Sequence, residues 1–358
     1  MSRADAALDL IANAALAGAA AAILVRPHHV SRIAASPLIP KGREFACSVA
    51  RPIVPRSPAA RPSKVQELAR LVSRYSAAGR LQRQDLTRTA GRRLNASTAL
   101  LALSVLADSA VEHYRGSFQN RAMYTPLVAA ALTLGASLFG AADRRASRHS
   151  ARDTVYASAA AAGFAGLGFH SYNILKRPGQ WSWLNLFYAA PIGAPMALAL
   201  AGLLGRGAEQ VRDTPPYRDA TVLGLPAGRM LAVVTAAGLA GTVGEAGLLH
   251  FRGAYHDPAM ILPVTVPPVA AAFLGATALR PNRTTHRLAR WWLRLTALVG
   301  FAGVGFHAYG VSRNMGGWRN WSQNLLNGPP LPAPPSFTGM ALAGLAALTL
   351  IEEAETDG

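Results

Sequence analysis

Long apolar segments recur through most of this 358-residue chain, and they constrain its fold more than any other feature. Eight runs of roughly 16–20 residues follow Asn95, and each is long enough to cross a hydrocarbon core of ~30 Å. They lie near 96–112, 124–142, 154–172, 185–204, 229–249, 259–279, 291–309 and 336–351. The runs are rich in Ala, Leu and Gly without strand-like alternation, so in lipid they must be helices. The sequence therefore predicts an all-α integral membrane protein with about eight transmembrane helices.

The composition supports a lipid environment and names no reaction. Hydrophobic residues make up 51% of the chain and charged residues only 15%, whereas a soluble globular protein carries about 25% charged residues. A single cysteine, Cys47, excludes an intrachain disulfide and a CxxC metal motif. The sequence contains no P-loop, GxSxG, HExxH or Rossmann GxGxxG motif. Whether the protein is an enzyme is therefore left open.

The two halves of the chain repeat at an offset of 137 residues. GFAGLGFHSY at 163–172 matches GFAGVGFHAY at 300–309 in 8 of 10 positions. HYRGSFQNRAM at 113–123 matches HFRGAYHDPAM at 250–260 in 5 of 11 positions. Two motifs at one offset indicate an internal duplication. We predict two tandem four-helix repeats of the same orientation, because four spans per repeat is an even number.

This duplication divides the chain into three regions: a basic N-terminal region at 1–95, a first membrane repeat at 96–220 and a second at 221–358. Residues 1–96 hold 16 Lys and Arg against 5 Asp and Glu. We expect this region to be partly disordered and to lie beside an anionic membrane surface, an interpretation that we favour over nucleic-acid binding. An apolar helix at 6–25 could add a ninth span, act as a signal-like segment or lie on the membrane surface. A further amphipathic surface helix is predicted at 63–82.

The distribution of arginine predicts the orientation in the membrane. Loops at 143–153, 205–229 and 280–294 hold 13 Arg, whereas the opposite connections hold seven basic residues. The positive-inside rule places this first set of loops, together with the C-terminus, on the cytoplasmic side of a bacterial-type inner membrane. The opposite interface is then expected to carry an aromatic belt, formed by Tyr172, Trp181, Tyr309 and Trp318 among others.

Four histidines are shared between the repeats and are expected near the non-cytoplasmic interface. His113 and His250 end the first helix of each repeat, and His170 and His307 end the third. Such histidines could ligate haem b or a transition metal, or could hydrogen-bond a quinone. They could equally cap helix ends or reach interfacial water. The first hypothesis is a redox or metal-associated membrane subunit, with a redox or other protein partner at this face.

Acidic and basic residues accompany the histidines. Asp108 matches Glu245 at the same offset, and both are candidates for a proton-handling or metal-supporting role. Arg115 and Arg252 follow the first helix of each repeat and could contact an anion or a lipid headgroup. Two alternatives remain open: a small-solute or ion transporter with a cavity between the repeats, and a non-catalytic membrane scaffold. The glycines of the fifth run predict close packing of the first helices of the two repeats.

Overall fold

The computed structural model describes residues 76–357. The apolar helix expected at 6–25 and most of the basic N-terminal region lie outside these residues, as does most of the amphipathic helix expected at 63–82. The described part of the chain is almost entirely helical, which confirms the predicted all-α class.

Ten α-helices follow one another in residues 76–357. They are α1 (Ala77–Arg115), α2 (Thr125–Ala142), α3 (Ser150–Leu175), α4 (Trp183–Tyr188), α5 (Gly193–Arg212), α6 (Ala227–Arg252), α7 (Leu262–Leu279), α8 (Arg283–Arg313), α9 (Trp321–Asn327) and α10 (Pro335–Asp357). Short 3-10 turns precede α2, α7 and α9, at Arg121–Tyr124, Pro258–Ile261 and Gly317–Asn320. A two-stranded antiparallel hairpin, β1 (Thr221–Val222) and β2 (Leu225–Pro226), connects α5 to α6.

Six segments are long and apolar enough to cross a membrane: those of α1, α2, α6, α7, α8 and α10. The expected multi-pass membrane protein is confirmed at this level. The helices α3 and α5 contain 26 and 20 residues, a length of about 30 Å or more at 1.5 Å per residue. They do not reach the same hydropathy, because α3 contains serine, glycine, histidine and charged residues and α5 ends in charged residues.

The first helix begins well before the apolar run that predicted it. Ser76 caps its N-terminus by accepting a hydrogen bond from the Gly79 N–H at 3.0 Å. The helix then runs without a break through the predicted boundary at 95. Its polar turns are held by packing, since Ala90 and Leu94 are fully buried. A hydropathy run therefore marked where the apolar part begins and not where the helix begins.

Two four-helix groups can be recognised from the packing. In the first half (residues 77–212), α1 and α3 each pack against α2 and α5 and lie on a diagonal. In the second half (residues 227–357), α6 and α8 lie on a diagonal between α7 and α10. The halves meet where α1 packs on α10 and α5 on α6, so α1 and α6 face each other diagonally across the interface. Leucine, alanine and methionine side chains fill the core, among them Leu204, Leu231, Leu274, Met340 and Leu348.

Candidate functional site

Two ends of the helical domain carry the polar residues. The histidine end is the end at which α1, α3, α6 and α8 carry His113, His170, His250 and His307. The arginine end is the opposite one, formed by residues 143–149, 213–226 and 280–282.

The histidines that end α1 and α6 bind the loop that follows each helix. The Nδ1 atom of His113 lies 2.6 Å from the Met123 carbonyl oxygen, and that of His250 lies 2.9 Å from the Met260 carbonyl oxygen. A carbonyl can only accept, so Nδ1 carries the proton and Nε2 is the nitrogen with an available lone pair. Each of these hydrogen bonds therefore holds the end of a helix against the 3-10 turn that precedes the next helix.

The histidines of α3 and α8 form hydrogen bonds to the segment that precedes the last helix of each half. The Nδ1 atom of His170 donates to the Pro191 carbonyl, and that of His307 donates to the Pro330 carbonyl at 2.7 Å. The hydrogen bond continues a stripe of close contacts along α3. A Cβ added at Gly163 would lie 2.4 Å from the Ala199 nitrogen, on α5.

The second half repeats this contact. A Cβ added at Gly300, on α8, would lie 2.7 Å from the Thr338 nitrogen, on α10. Close packing of one helix against another thus explains much of the shared GFAGxGFH motif.

Electrostatic range relates the histidines of one half to each other. His113 lies within electrostatic range of His170, and His250 within range of His307, so each pair belongs to one half. In residues 76–357, no group of three or more His, Cys, Asp or Glu side chains could hold a metal ion. Ligation of haem or a transition metal by these histidines stays a prediction, with two imidazoles per half as the ligand set.

The loop after each first helix has an unusual backbone. Ser117 and Phe118 have φ angles of 56° and 46°, and the matching Ala254 and Tyr255 have 55° and 47°. Residues other than glycine rarely adopt this conformation, which costs of order 1 kcal/mol each. The backbone N–H groups of Phe118 and Tyr255 donate to the carbonyls of the histidines that end α1 and α6, at 3.1 Å in both halves. The histidine and its loop therefore hold this conformation together.

The two arginines after these histidines are already engaged. Arg115 forms an ion pair of 2.8 Å with Glu112, on the same helix. Arg252 donates to the Phe187 carbonyl at 3.0 Å and lies 4.8 Å from the centre of the Tyr188 ring. Neither has an ion pair with Asp108 or Glu245. Their predicted contact with an external anion or headgroup stays a prediction.

The four aromatic residues expected at the interface are all exposed. Tyr172 and Tyr309 lie under basic side chains, with Lys176 5.1 Å and Arg313 5.9 Å from the ring centres. Trp181 and Trp318 are each 48% exposed. Surface positions near a helix end suit the amphipathic character expected of a membrane–water interface.

Asp108 and Glu245 are matched carboxylates that lie on helices of different halves. They are on the diagonal helices α1 and α6, seven residues before each helix ends, and Glu245 is within electrostatic range of Asp108. The carboxylate of Glu245 lies against Gly193 and interacts with its backbone N–H, at the N-terminus of α5. A Cβ at Gly193 would overlap the carboxylate, at 1.7 Å from Oε2, so only glycine leaves room for it.

No cation neutralises this carboxylate pair in the part of the chain that the structure describes. Ion pairs occur elsewhere, but neither acid lies within ion-pair distance of a basic nitrogen. The glycine stripe of α6 does not give the close packing of the two first helices that we predicted. A Cβ added at Gly241 or Gly244 would meet no atom within 4 Å, whereas Gly238 packs tightly on Met340, which belongs to α10. Gly241 and Gly244 therefore lie on an exposed face of α6.

A second polar cluster, at the arginine end of the first half, was not predicted. Glu209 is fully buried and receives two hydrogen bonds of 3.0 Å from the Arg152 guanidinium. It also accepts from the His149 backbone N–H at 2.9 Å. Asn95, fully buried on α1, donates to the same carboxylate at 3.4 Å and accepts from the Tyr156 hydroxyl.

The cluster extends to Arg212 and Asp143. Arg212 is fully buried and donates to the carbonyls of Gly140, Asp143 and Arg145 at 2.7, 2.9 and 3.0 Å. Asp143 accepts from Arg152 at 3.0 Å. Burial alone would raise the pKa of the Asp143 carboxyl, but hydrogen bonds from Arg145 and Arg152 and the two nearby guanidinium charges lower it. The net effect is a lowered pKa.

The sequence contains a feature that indicates this cluster. Arg152 and Arg212 fall within the predicted cytoplasmic loops at 143–153 and 205–229, yet both lie on helices. Glu209 and Arg212 lie in α5, at positions that α10 fills with Leu348 and Ile351. A comparison of the two halves would have shown charges in one and apolar residues in the other.

No known family model, curated protein or solved structure matches this chain.

Proposed function

We propose that this chain is a duplicated four-helix membrane unit that binds and conducts a proton or a small cation between its halves. The proposed unit has eight membrane spans, and the short helices α4 and α9 lie at the membrane–water interface. Its arginine end and C-terminus lie on the cytoplasmic side of a bacterial-type inner membrane. The site consists of Asp108 and Glu245.

Matching contacts in the two halves support the duplication. The histidine that ends the first helix binds a carbonyl ten residues later in both halves. Asn185, after α3, donates to the Pro178 and Gln180 carbonyls, and Asn324, after α8, donates to those of Met315 and Gly317. The second connection is two residues longer, which moves the offset from 137 to 139 in the last helix of each half.

The observation that carries the proposal is that two sequence-matched carboxylates lie within electrostatic range of each other, and neither has an ion-pair partner in residues 76–357. A charged side chain within lipid is costly, and such groups commonly mark ion or proton pathways. Two like charges without a cationic partner are neutralised most simply by protons or by a bound cation. The interface between parallel repeats is also a common location of transporter substrate sites.

Reconstitution in liposomes tests this proposal directly. Purified full-length protein is placed in vesicles loaded with a pH-sensitive dye, and a potassium diffusion potential drives proton entry. A parallel series measures uptake of radioactive sodium. We expect flux above that of empty vesicles, and we expect Asp108→Asn and Glu245→Gln to reduce it at least tenfold.

Asp85→Asn is the matched control. Asp85 is on the same helix as Asp108 but near its other end, where it pairs with Arg88 at the surface, so its neutralisation should leave the flux unchanged. Absence of proton and sodium flux in the wild type, or equal loss in all three variants, would overturn the proposal. Gel filtration of each variant establishes that it is folded.

Haem binding is a second candidate, supported by the histidine pairs. Two imidazoles complete the axial ligation of haem iron, and in each half both Nδ1 atoms are oriented by backbone carbonyls, as is usual for metal-bound histidine. An absorption spectrum after haem-replete expression tests this candidate. A Soret band that His170→Ala and His307→Ala abolish would support it, and a protein without the band would exclude the haem form.

A further inference from the structure

Two arginines, one from each half of the domain, come within electrostatic range of each other toward the arginine end. Arg93 lies on α1 and Arg290 on α8, and both helices pack against α10. The two guanidinium groups lie within electrostatic range of each other, and both residues are partly buried. Arg290 pairs with Glu352 of α10 at 2.6 Å, whereas Arg93 has no ion pair in residues 76–357. Glu352 thus pairs with Arg290, and the charge of Arg93 has no carboxylate partner among the described residues.

The surface beside this pair combines arginine with tryptophan. Trp291 is 57% exposed, and the Arg294 guanidinium lies 5.7 Å from the centre of its ring. Arg287, one turn earlier on α8, is also exposed. An exposed tryptophan among arginines, at the end of an apolar helix, is typical of a membrane–water interface.

The matched positions of the duplication do not form an equivalent surface. The positions 137 residues away from Arg93 and Arg290 hold Met230 and Asp153. Those that match Trp291 and Arg294 hold Thr154 and Ala157. Because the helix framework is similar in both halves, the fold alone does not account for the arginines at this one place. Their positions favour a ligand with negative charge.

We propose that Arg93 and Arg290 form a binding site for the phosphate headgroup of one anionic lipid. The guanidinium groups match a phosphodiester in charge and hydrogen-bonding geometry. Trp291 packs beside the glycerol and upper acyl region, and α10 forms the floor of the site. Basic sites of this kind between membrane helices bind anionic lipids in preference to neutral ones. Because the matched positions hold Met230 and Asp153, we expect one such lipid per chain and not two.

Native mass spectrometry of the detergent-purified full-length protein tests the proposal. The protein is titrated with phosphatidylglycerol or with phosphatidylcholine of the same acyl chains. We expect one phosphatidylglycerol adduct per chain to form at least tenfold more readily than the phosphatidylcholine adduct. The double variant Arg93→Gln/Arg290→Gln should remove this preference.

Two control variants keep the outcome interpretable. Arg144→Gln/Arg280→Gln removes the same charge from two exposed loop arginines at the same end and should retain the preference. Arg93→Lys/Arg290→Lys should retain part of it, even if the glutamine variant folds poorly. Equal binding of the two lipids, or equal loss in the loop control, would overturn the proposal. Displacement of the lipid by inorganic phosphate would instead assign the site to a free anion and would also overturn it.

Discussion

Arg152 and Glu209 form a two-pronged ion pair, with both hydrogen bonds at 3.0 Å, inside the first half of a membrane protein. At the matched positions the second half has Ala289 and Leu348, which are themselves fully buried. The same helical framework therefore encloses a charged cluster in one half and an apolar core in the other. Since a buried ion pair often stabilises no more than an apolar pair of similar volume, stability does not require it.

Removal of one partner of this ion pair should be more damaging than removal of both. Glu209→Leu leaves the buried Arg152 without its main anion and should cost about 3–5 kcal/mol of unfolding free energy. The double variant Arg152→Ala/Glu209→Leu should lose clearly less than the sum of the two single variants. Chemical denaturation in detergent measures all three. Additive losses would show that the residues act independently.

The shared GFAGxGFH motif predicts opposite effects at two of its glycines. Gly163→Ala forces a methyl group against the α5 backbone and should cost about 1–3 kcal/mol. Gly168→Ala meets no atom within 4 Å and should be neutral or stabilise the helix by about 0.5–1 kcal/mol. Thermal midpoints in detergent compare the two variants. Similar midpoints for both would contradict the assignment of Gly163 to helix seating.

The histidine end should loosen locally when a histidine is removed. His113→Ala deletes the hydrogen bond to Met123 and should speed amide exchange in the loop at 116–124, as His250→Ala should at 253–261. Hydrogen exchange followed by mass spectrometry resolves the two loops. His149→Ala serves as the control, because its side chain is exposed and only its backbone N–H joins the buried cluster. Unchanged exchange in both loops would refute the fastening role.

Acid should weaken the arginine end through Asp143. A carboxyl with a lowered pKa in the folded state stabilises the protein above its ordinary pKa of about 4. That contribution is lost as the pH falls through the lowered pKa. Asp143→Asn should therefore flatten the decline of the thermal midpoint below about pH 4. Asp85→Asn, at an exposed ion pair with Arg88, should leave the decline as in the wild type. The same slope in all three proteins would exclude a role for Asp143.

Much of the helical framework could be predicted from the sequence. The runs at 124–142 and 229–249 closely match α2 and α6, because lipid-compatible helices need long apolar stretches. The apolar run at 185–204 begins several residues before α5, because it includes part of the short helix α4 and the Pro-containing turn that precede α5. The start of α1 was also missed, because its first turns are polar and are held in place by packing.

The sequence by itself determined the membrane class, the matched motifs and the pairing of Asp108 with Glu245 by position. These features are local, since hydropathy and motif spacing are read along the chain. Only the tertiary structure decided that His113 and His170 come within electrostatic range of each other, that Asp108 and Glu245 do so, and that Arg152 and Arg212 are buried. Such relationships join residues tens to hundreds of positions apart, and they depend on which helices pack together. The amphipathic pattern of one helix does not specify its neighbours, so no single segment could reveal them.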